Sequence, residues 1–543
     1  MRFRKFKKYQ VVILLIGVIT ISYSFKSKFF EVAKQLEIYT ELYKELNMYY
    51  VNEINPVEFT NKAIKNTLKD LDPYTNYFDE QAVEEARIRR QGEYAGIGIS
   101  VYYDEKGITI TEILEGYEAD KKGLKTGDII TKIDGQPLQN MEREELSQFL
   151  KGTPNTNILL TFERQRRLEE INVTLEKIIV NPVPFYEMVN ENTGYIVLTR
   201  FNEKASSEVK KAFKKLKEEG MTQLVFDLRN NPGGSLLEAI NISNFFLPKG
   251  STIVSTKAKV KKWSNVYGAN NKPLDLDIPI TILVNDRSAS ASEIVSGALQ
   301  DFDRAVVLGE RSFGKGLVQR YRELSYGTQL KVTISKYYTP SGRCIQELDY
   351  ANRDENGKVS KFSDGTVTAY KTKNGRTVCD GGGVKPDVEV GYNSKTDATE
   401  ELLKSRAIFN FVTNYCYDNP SIGNSKEYQF NDFKNFQNYL LKSDKSFVTE
   451  EEKLFRNAYQ SVEDPKLVSK EYQQILKKLN REKVEKISKN KEYLSDLIQT
   501  EIVKRFYFEK GSFENKLSKD KVILEAIKLL NDKSKYTKIL NGA

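Results

Sequence analysis

Residues 278–319 read IPITILVNDRSASASEIVSGALQDFDRAVVLGERSFGKGLVQ, and the succession of patterns inside them decides the fold of the central part of the chain. Ile278 to Val284 is a continuous β-prone apolar run that ends on the turn-formers Asn285 and Asp286, which predicts a buried strand delivering its C-terminal end to a loop. From Ala291 the spacing turns helical. Ile294, Val295, Ala298, Leu299 and Phe302 share one face, while Ser290, Ser292 and Glu293 stand where capping groups belong. The loop serines therefore sit at a helix N-terminus, where free backbone N–H groups and the positive end of the dipole favour an oxyanion.

The 543 residues contain no histidine, which excludes any Ser-His-Asp or Cys-His arrangement. A reactive serine then needs another base, and lysine can serve only if it is neutral. At an ordinary pKa near 10.4 only about 0.04% of a lysine is neutral at pH 7, so burial must bring it to roughly 7 to 8, at about 3 to 5 kcal/mol of desolvation. Lys315 is the candidate: it lies in Phe313-Gly314-Lys315-Gly316, where two glycines allow close backbone approach and an aromatic neighbour could exclude water. Gly309 to Lys315 also fits the G-x-x-x-x-G-K of phosphate-cradling loops. That reading fails at Gly316, which replaces the magnesium-binding Ser or Thr, and at Leu317 to Tyr321, which is patterned as a strand and not a helix.

SASASEI, GERSFGKGLVQ and, upstream, DLRNNPGG at Asp227 to Gly234 together resemble the C-terminal processing peptidases, or tail-specific proteases. The resemblance covers roughly residues 55 to 392, with the three motifs in the family's order. It implies a serine peptidase in which Ser290 is the nucleophile, Lys315 the general base and Gln319 the residue that orients the lysine. Gly234 and Ala291 would supply oxyanion N–H groups. No cofactor is implied, and the cysteine spacing fits no metal site.

Outward from this centre, the length predicts several domains. The net charge of +9, from 84 basic and 75 acidic residues, is a modest excess without interleaved aromatics, and nucleic acid is not an expected partner. Arg2, Arg4, Lys5, Lys7 and Lys8 precede the apolar run Val11 to Ile21, an export signal. Its positive flank stays inside, so the rest is expected outside the cytoplasm, on the periplasmic face, with residues 1–25 either cleaved or kept as an inner-membrane anchor. We expect the anchor.

Helical spacing over 29–70 ends in Leu71-Asp72-Pro73-Tyr74-Thr75-Asn76-Tyr77, a proline-stopped turn that also resembles the family's LDPYS-like signature. Family members often pair through this region, which makes a homodimer an expectation. From Gly92 glycine-punctuated short strands begin, and GLKTGDIITKIDGQPL at Gly123 to Leu138 resembles a PDZ domain. In that module Gly96, Ile97, Gly98 and Ile99 form the loop that takes a peptide's terminal carboxylate on backbone N–H groups, and the segment Glu142 to Leu150 is the groove helix. The expected substrates are therefore proteins and peptides with free C-termini.

Asp227 and Arg229 read as structural partners for the NPGG loop, not as acid-base groups. Cys344 and Cys379, both following motifs of the family's core, are the disulfide pair to examine, with Cys416 left over. The predicted class is multidomain α+β: a signal or anchor segment at 1–25, a helical region at 26–90, a β-rich PDZ domain at 91–178, an α/β peptidase core at 179–392 and a helical tail at 393–543. Whether the tail packs on the core, extends the substrate channel or binds a partner is open at this stage. The competing function is a noncatalytic envelope PDZ scaffold that binds protein tails; the presence of Ser290, Lys315 and Gln319 favours catalysis.

Overall fold

The computed structural model describes residues 29–141, 146, 149–150, 152–355, 357–362, 367–442 and 447–542. They form two units, one reaching to Tyr77 and one running from Phe78. The segment expected to be a signal or anchor, 1–25, lies outside the described residues. Among the described residues no helix is long and apolar enough to cross a membrane.

In the first unit a helix over 29–49 precedes the helix Pro56–Lys69. Asn55 caps the latter, accepting the N–H groups of Val57 and Glu58 at 3.0 and 3.3 Å, and Pro56 opens it where a missing N–H costs nothing. The proline turn has its own lock. Asp72 Oδ1 accepts from the N–H groups of Tyr74 and Thr75, both at 2.8 Å.

The second unit opens with the helix Glu80–Gln91 and a small β module. Its main sheet runs in the order Ile99–Asp104, Gly107–Ile113, Ile129–Ile133, Asn157–Arg164, Arg167–Thr174, antiparallel throughout, with Glu93–Gly96 paired separately to Glu176–Ile179. Alternate residues Ile108, Ile110, Ile130, Leu160 and Phe162 fill its core, as period-two patterning requires. The expected groove segment Glu142 to Leu150 falls largely outside the described residues.

The central sheet is built from Phe185–Met188, Thr193–Val197, Gln223–Asp227, Ile280–Val284, Val306–Gly309 and Val388–Glu389, in that spatial order. The first pair is antiparallel and the other four pairings are parallel. Parallel strands need crossovers, which here are the helices Ala205–Glu218, Leu236–Asn244 and Ala291–Asp301. All three pack on one face, against Ile196, Phe226, Ile282 and Val307. The intervening residues Tyr195, Val225, Leu283 and Val306 point to the other face, and something apolar must cover them.

That cover comes from the far end of the chain. The helices Lys521–Asn531 and Lys533–Leu540 place Val522, Ile523, Ala526, Leu529, Leu530 and Tyr536 on the second face. Tyr536 is held to the strand itself: its hydroxyl donates to the Ile280 carbonyl and accepts the Ile280 N–H, each at 3.0 Å. The tail is therefore divided, its last two helices forming a layer of the central α/β sandwich. The preceding helices from Asp397 to Ser488 cluster through Leu402, Phe411, Phe436, Leu440 and Ile487 against Ile498 and Ile502 of the long helix Lys491–Leu517. Thr449 and Glu452 form a capping box, and Glu452 also receives the buried Lys483 ammonium at 3.0 Å.

The expected Cys344–Cys379 disulfide is absent: Cys344, Cys379 and Cys416 are all free thiols. Cys379 ends the strand Thr377–Cys379 with an exposed side chain, whereas burial pushes the Cys344 thiol above its ordinary pKa.

Candidate active site

Ser290 occupies the turn between the strand Ile280–Val284 and the helix Ala291–Asp301, with φ 57° and ψ −110°. A positive φ in a residue with a Cβ costs of order 1–3 kcal/mol and persists only where neighbours enforce it. The neighbours are identifiable. The Ser290 N–H donates to Glu293 Oε2 at 2.7 Å, and the Ser290 carbonyl accepts the Tyr337 hydroxyl at 3.1 Å. Behind the serine, Asn231 O accepts the Ala289 N–H at 3.0 Å and the Ser292 hydroxyl at 2.9 Å.

Gly233 closes the same corner. A Cβ built on it would lie 2.6 Å from Ala289 O and 2.9 Å from Ser290 Cβ, so only glycine admits the approach of this loop to the serine. Gly234 follows with φ 147°, paired with Phe201 in a short parallel bridge, and Asn231 fixes the loop by donating from Nδ2 to Leu198 O at 2.7 Å.

Glu293 organises the other side. It is fully buried, and its two oxygens accept the Ser290 and Lys315 N–H groups, the Gly314 N–H at 2.7 Å and the Ser312 hydroxyl at 2.6 Å. Burial pushes its pKa up to about 7 against the opposing pull of these donors. Gly314 and Gly316 make the close approaches expected of them, the first against Glu347 and the Gly383 backbone, the second against the Gln346 backbone. Leu317–Glu323 is a strand, as the failed phosphate-loop reading requires. One expectation needs correction: Phe313 is 45% exposed and cannot be the group that excludes water around Lys315. Ile294, Leu317 and Tyr337 line the cavity instead.

A cavity of about 1200 Å³ lies beyond the C-terminal ends of the parallel strands, the usual ligand crevice of an open α/β sheet. Ser290, Lys315, Gln319, Gly234 and Ala291 all line it, so the residues singled out in three separate motifs are brought to one place. Gln319, beside a register shift in its strand, donates from Nε2 to Thr333 Oγ1 at 3.2 Å. Among the described residues no cluster of three or more Cys, Asp or Glu is placed to hold a metal.

In the β module Gly96 ends a strand opposite Glu176, and Ile99 pairs with Ile113. The Ile97 side chain is buried in the module's own core, so its contribution to any peptide is through the backbone. Gly98 takes φ 80°, where a Cβ would strike Tyr117 at 2.4 Å.

Glu293 does more here than the capping expected of it, and Asn231 and Tyr337 join the site with no role expected from the sequence. An acid at the third position of a mostly apolar helix was the available signal for Glu293. The opposite wall of the cavity was not legible: Asp496, Thr500, Lys504 and Lys516 of the long helix Lys491–Leu517 line it with Asp520. Asp227, expected with Arg229 to support the NPGG loop, receives the Arg229 guanidinium at 2.6 Å and the Tyr195 hydroxyl at 2.7 Å.

Three family models match successive parts of the chain. The family model for peptidase family S41 matches residues 192–351, that for the PDZ domain residues 85–163, and that for the C-terminal helical domain of PDZ-proteases residues 398–530. A protein named "Probable CtpA-like serine protease" from Staphylococcus aureus (strain MRSA252) is 35% identical over 306 residues, which are 56% of this chain and 61% of the relative. Its namesake from Staphylococcus haemolyticus (strain JCSC1435) is 33% identical over 355 residues, 63% of this chain and 71% of the relative. The match thus spans 61% of the length of the first of these relatives. Among solved structures, a photosystem II D1 C-terminal processing protease aligns at 28% identity and a TM-score of 0.36, over 56% of this chain and 82% of that one. The architecture and the matches together define a PDZ-bearing multidomain α+β protein of peptidase type. The chain belongs to peptidase family S41, among the C-terminal processing peptidases, as its motifs implied.

Proposed function

We propose that this chain is a serine endopeptidase that takes protein C-termini on its PDZ domain and hydrolyses peptide bonds through Ser290 and Lys315. The observation that carries the reading is the Ser290 turn: a strained serine at the start of a buried helix, facing the same cavity as Lys315 and joined to it through Glu293. The neutral Lys315 amine takes the Ser290 hydroxyl proton as Oγ bonds to the scissile carbonyl carbon. The carbonyl electron pair moves to oxygen, which receives the N–H groups of Gly234 and Ala291 at the helix N-terminus. When the C–N bond breaks, the Lys315 ammonium passes its proton to the leaving amine. The acyl-enzyme is hydrolysed by a water that Lys315 deprotonates in turn. Gln319 orients the lysine from the adjacent strand, and no cofactor enters.

On this reading the PDZ loop from Gly96 to Ile99 offers backbone N–H groups to the substrate's terminal carboxylate. The protein works outside the cytoplasm, anchored by the positively flanked apolar run Val11 to Ile21. Purified protein incubated with a peptide bearing a free C-terminus should cleave it, and the amidated peptide should be cleaved more slowly. Equal cleavage of the two forms would remove the PDZ part of the reading.

A further inference from the structure

Arg229 leaves the strand Gln223–Asp227 at the start of the loop that carries Gly233 and Gly234 to the serine. Two of its guanidinium nitrogens, forming one edge, are occupied by Asp227: Nε at 3.0 Å and Nη2 at 2.6 Å. The third nitrogen is not served by the strand that carries Asp227. Nη1 donates to Asp520 Oδ2 at 2.7 Å, from a residue 291 positions later in the chain.

Asp520 is itself doubly engaged. Its other oxygen, Oδ1, accepts the N–H groups of Val522 and Ile523 at 2.9 and 3.2 Å and so caps the helix Lys521–Asn531. That helix cannot drift, because Val522, Ile523, Ala526, Leu529 and Leu530 are packed into the second face of the central sheet. The pair is nearly closed to solvent, with the Arg229 and Asp520 side chains 15% and 13% exposed. Against the penalty of burial, the Arg229 and Lys516 cations hold the Asp520 carboxyl below its ordinary range. Arg229, Asp520, Gly234 and Ser290 all line one cavity.

We infer that Asp520 is a positioning residue for the peptidase reaction: by fixing Arg229 from a helix locked to the sheet, it holds the 229–234 loop in the conformation that presents Gly234 opposite Ser290. The C-terminal helical segment is thus part of the active site. This rests on the reading of Ser290 as nucleophile. The loop is already tied further along by the Asn231–Leu198 hydrogen bond and the Phe201–Gly234 bridge; the Arg229–Asp520 pair adds an anchor at its start, on a helix packed against the second face of the sheet, and removes the freedom left there. The effect belongs on the chemical step, because Asp520 touches neither the nucleophile nor the base.

The test uses the full chain. Asp520→Asn keeps an oxygen that can cap the helix but removes the charge that faces Arg229. Asp520→Ser is the companion variant with a different capping oxygen. With kcat expressed per folded molecule by far-ultraviolet circular dichroism, both should lower kcat about tenfold and leave KM within about twofold. Combined with Arg229→Lys, Asp520→Asn should add no further loss, since both act through one contact. A wild-type kcat in Asp520→Asn, or multiplicative losses in the double variant, overturns the inference while Ser290-dependent cleavage in the same assay leaves the proposed reaction standing. Cleavage that survives Ser290→Ala removes both.

Discussion

Ser290 and Lys315 donate their backbone N–H groups to one atom, Oε2 of Glu293, at 2.7 and 3.0 Å. The turn that carries the serine and the loop that carries the lysine are thereby set from a single buried carboxylate, which sits one turn into the helix that the serine begins. Because the other oxygen of Glu293 receives the Ser312 hydroxyl and the Gly314 N–H, the whole 312–315 loop is registered on that helix.

Glu293 should be required for both geometry and its pH dependence. Four donors suit an ionised carboxylate, and protonation forces one of these contacts to be reversed or lost. With a pKa pushed up to about 7, cleavage should rise with pH through that value as the carboxylate ionises. Stability should move the other way. A carboxyl whose folded pKa is raised binds more protons folded than unfolded between about 4.5 and about 7, so its contribution is present below that window and is lost as pH rises through it. Glu293→Gln should lower kcat at least about tenfold and remove the Glu293 contribution to the rising limb, leaving the single ionisation that the Lys315 base requires. A limb that persists unchanged in Glu293→Gln would contradict this role.

Gly233 should tolerate no side chain. Gly233→Ala places a Cβ 2.6 Å from Ala289 O and 2.8 Å from Ala291 N at φ 93°, against backbone that cannot step aside. We expect a loss of about 1–3 kcal/mol in stability and a fall in kcat larger than that of any surface glycine substitution. Chemical denaturation and steady-state kinetics on Gly233→Ala and on Gly135→Ala, whose Cβ meets nothing within 4 Å, make the comparison. Equal effects at the two sites would show that the contact at Ser290 is unimportant.

The last two helices should behave as core. Leu530→Ala removes a side chain that is 1% exposed between helix and sheet and should cost about 2–5 kcal/mol. Leu524→Ala on the exposed face of the same helix should cost less than about 0.5 kcal/mol. Thermal and urea unfolding read both. If Leu530→Ala unfolds with the wild type, the C-terminal layer does not support the sheet.

Much of the site was legible in the sequence because its signals are local. The switch from β-type to helical periodicity between Val284 and Ile294 fixed the strand, turn and helix around Ser290, and the absence of histidine directed attention to Lys315. What escaped notice is long-range. The apolar positions Val522, Ile523, Ala526, Leu529 and Leu530 announce an amphipathic helix, but periodicity names a buried face without naming what buries it. The Arg229–Asp520 pair joins residues 291 positions apart, and nothing local distinguishes that aspartate from any other helix cap. Phe313 illustrates the converse: adjacency to Lys315 in sequence suggested a shield, yet its side chain is largely exposed and residues from other elements line the pocket. The cysteine pairing failed for a related reason, since proximity to core motifs does not set the distance between two sulfurs.

The measurement closest to the central claim is cleavage of a peptide with a free C-terminus by purified wild type, Ser290→Ala and Lys315→Ala, with peptide binding measured on the same three proteins. The account predicts that each substitution lowers kcat on the order of 10³-fold or more while the peptide still binds with wild-type affinity. Turnover that either variant retains at the wild-type rate would contradict it.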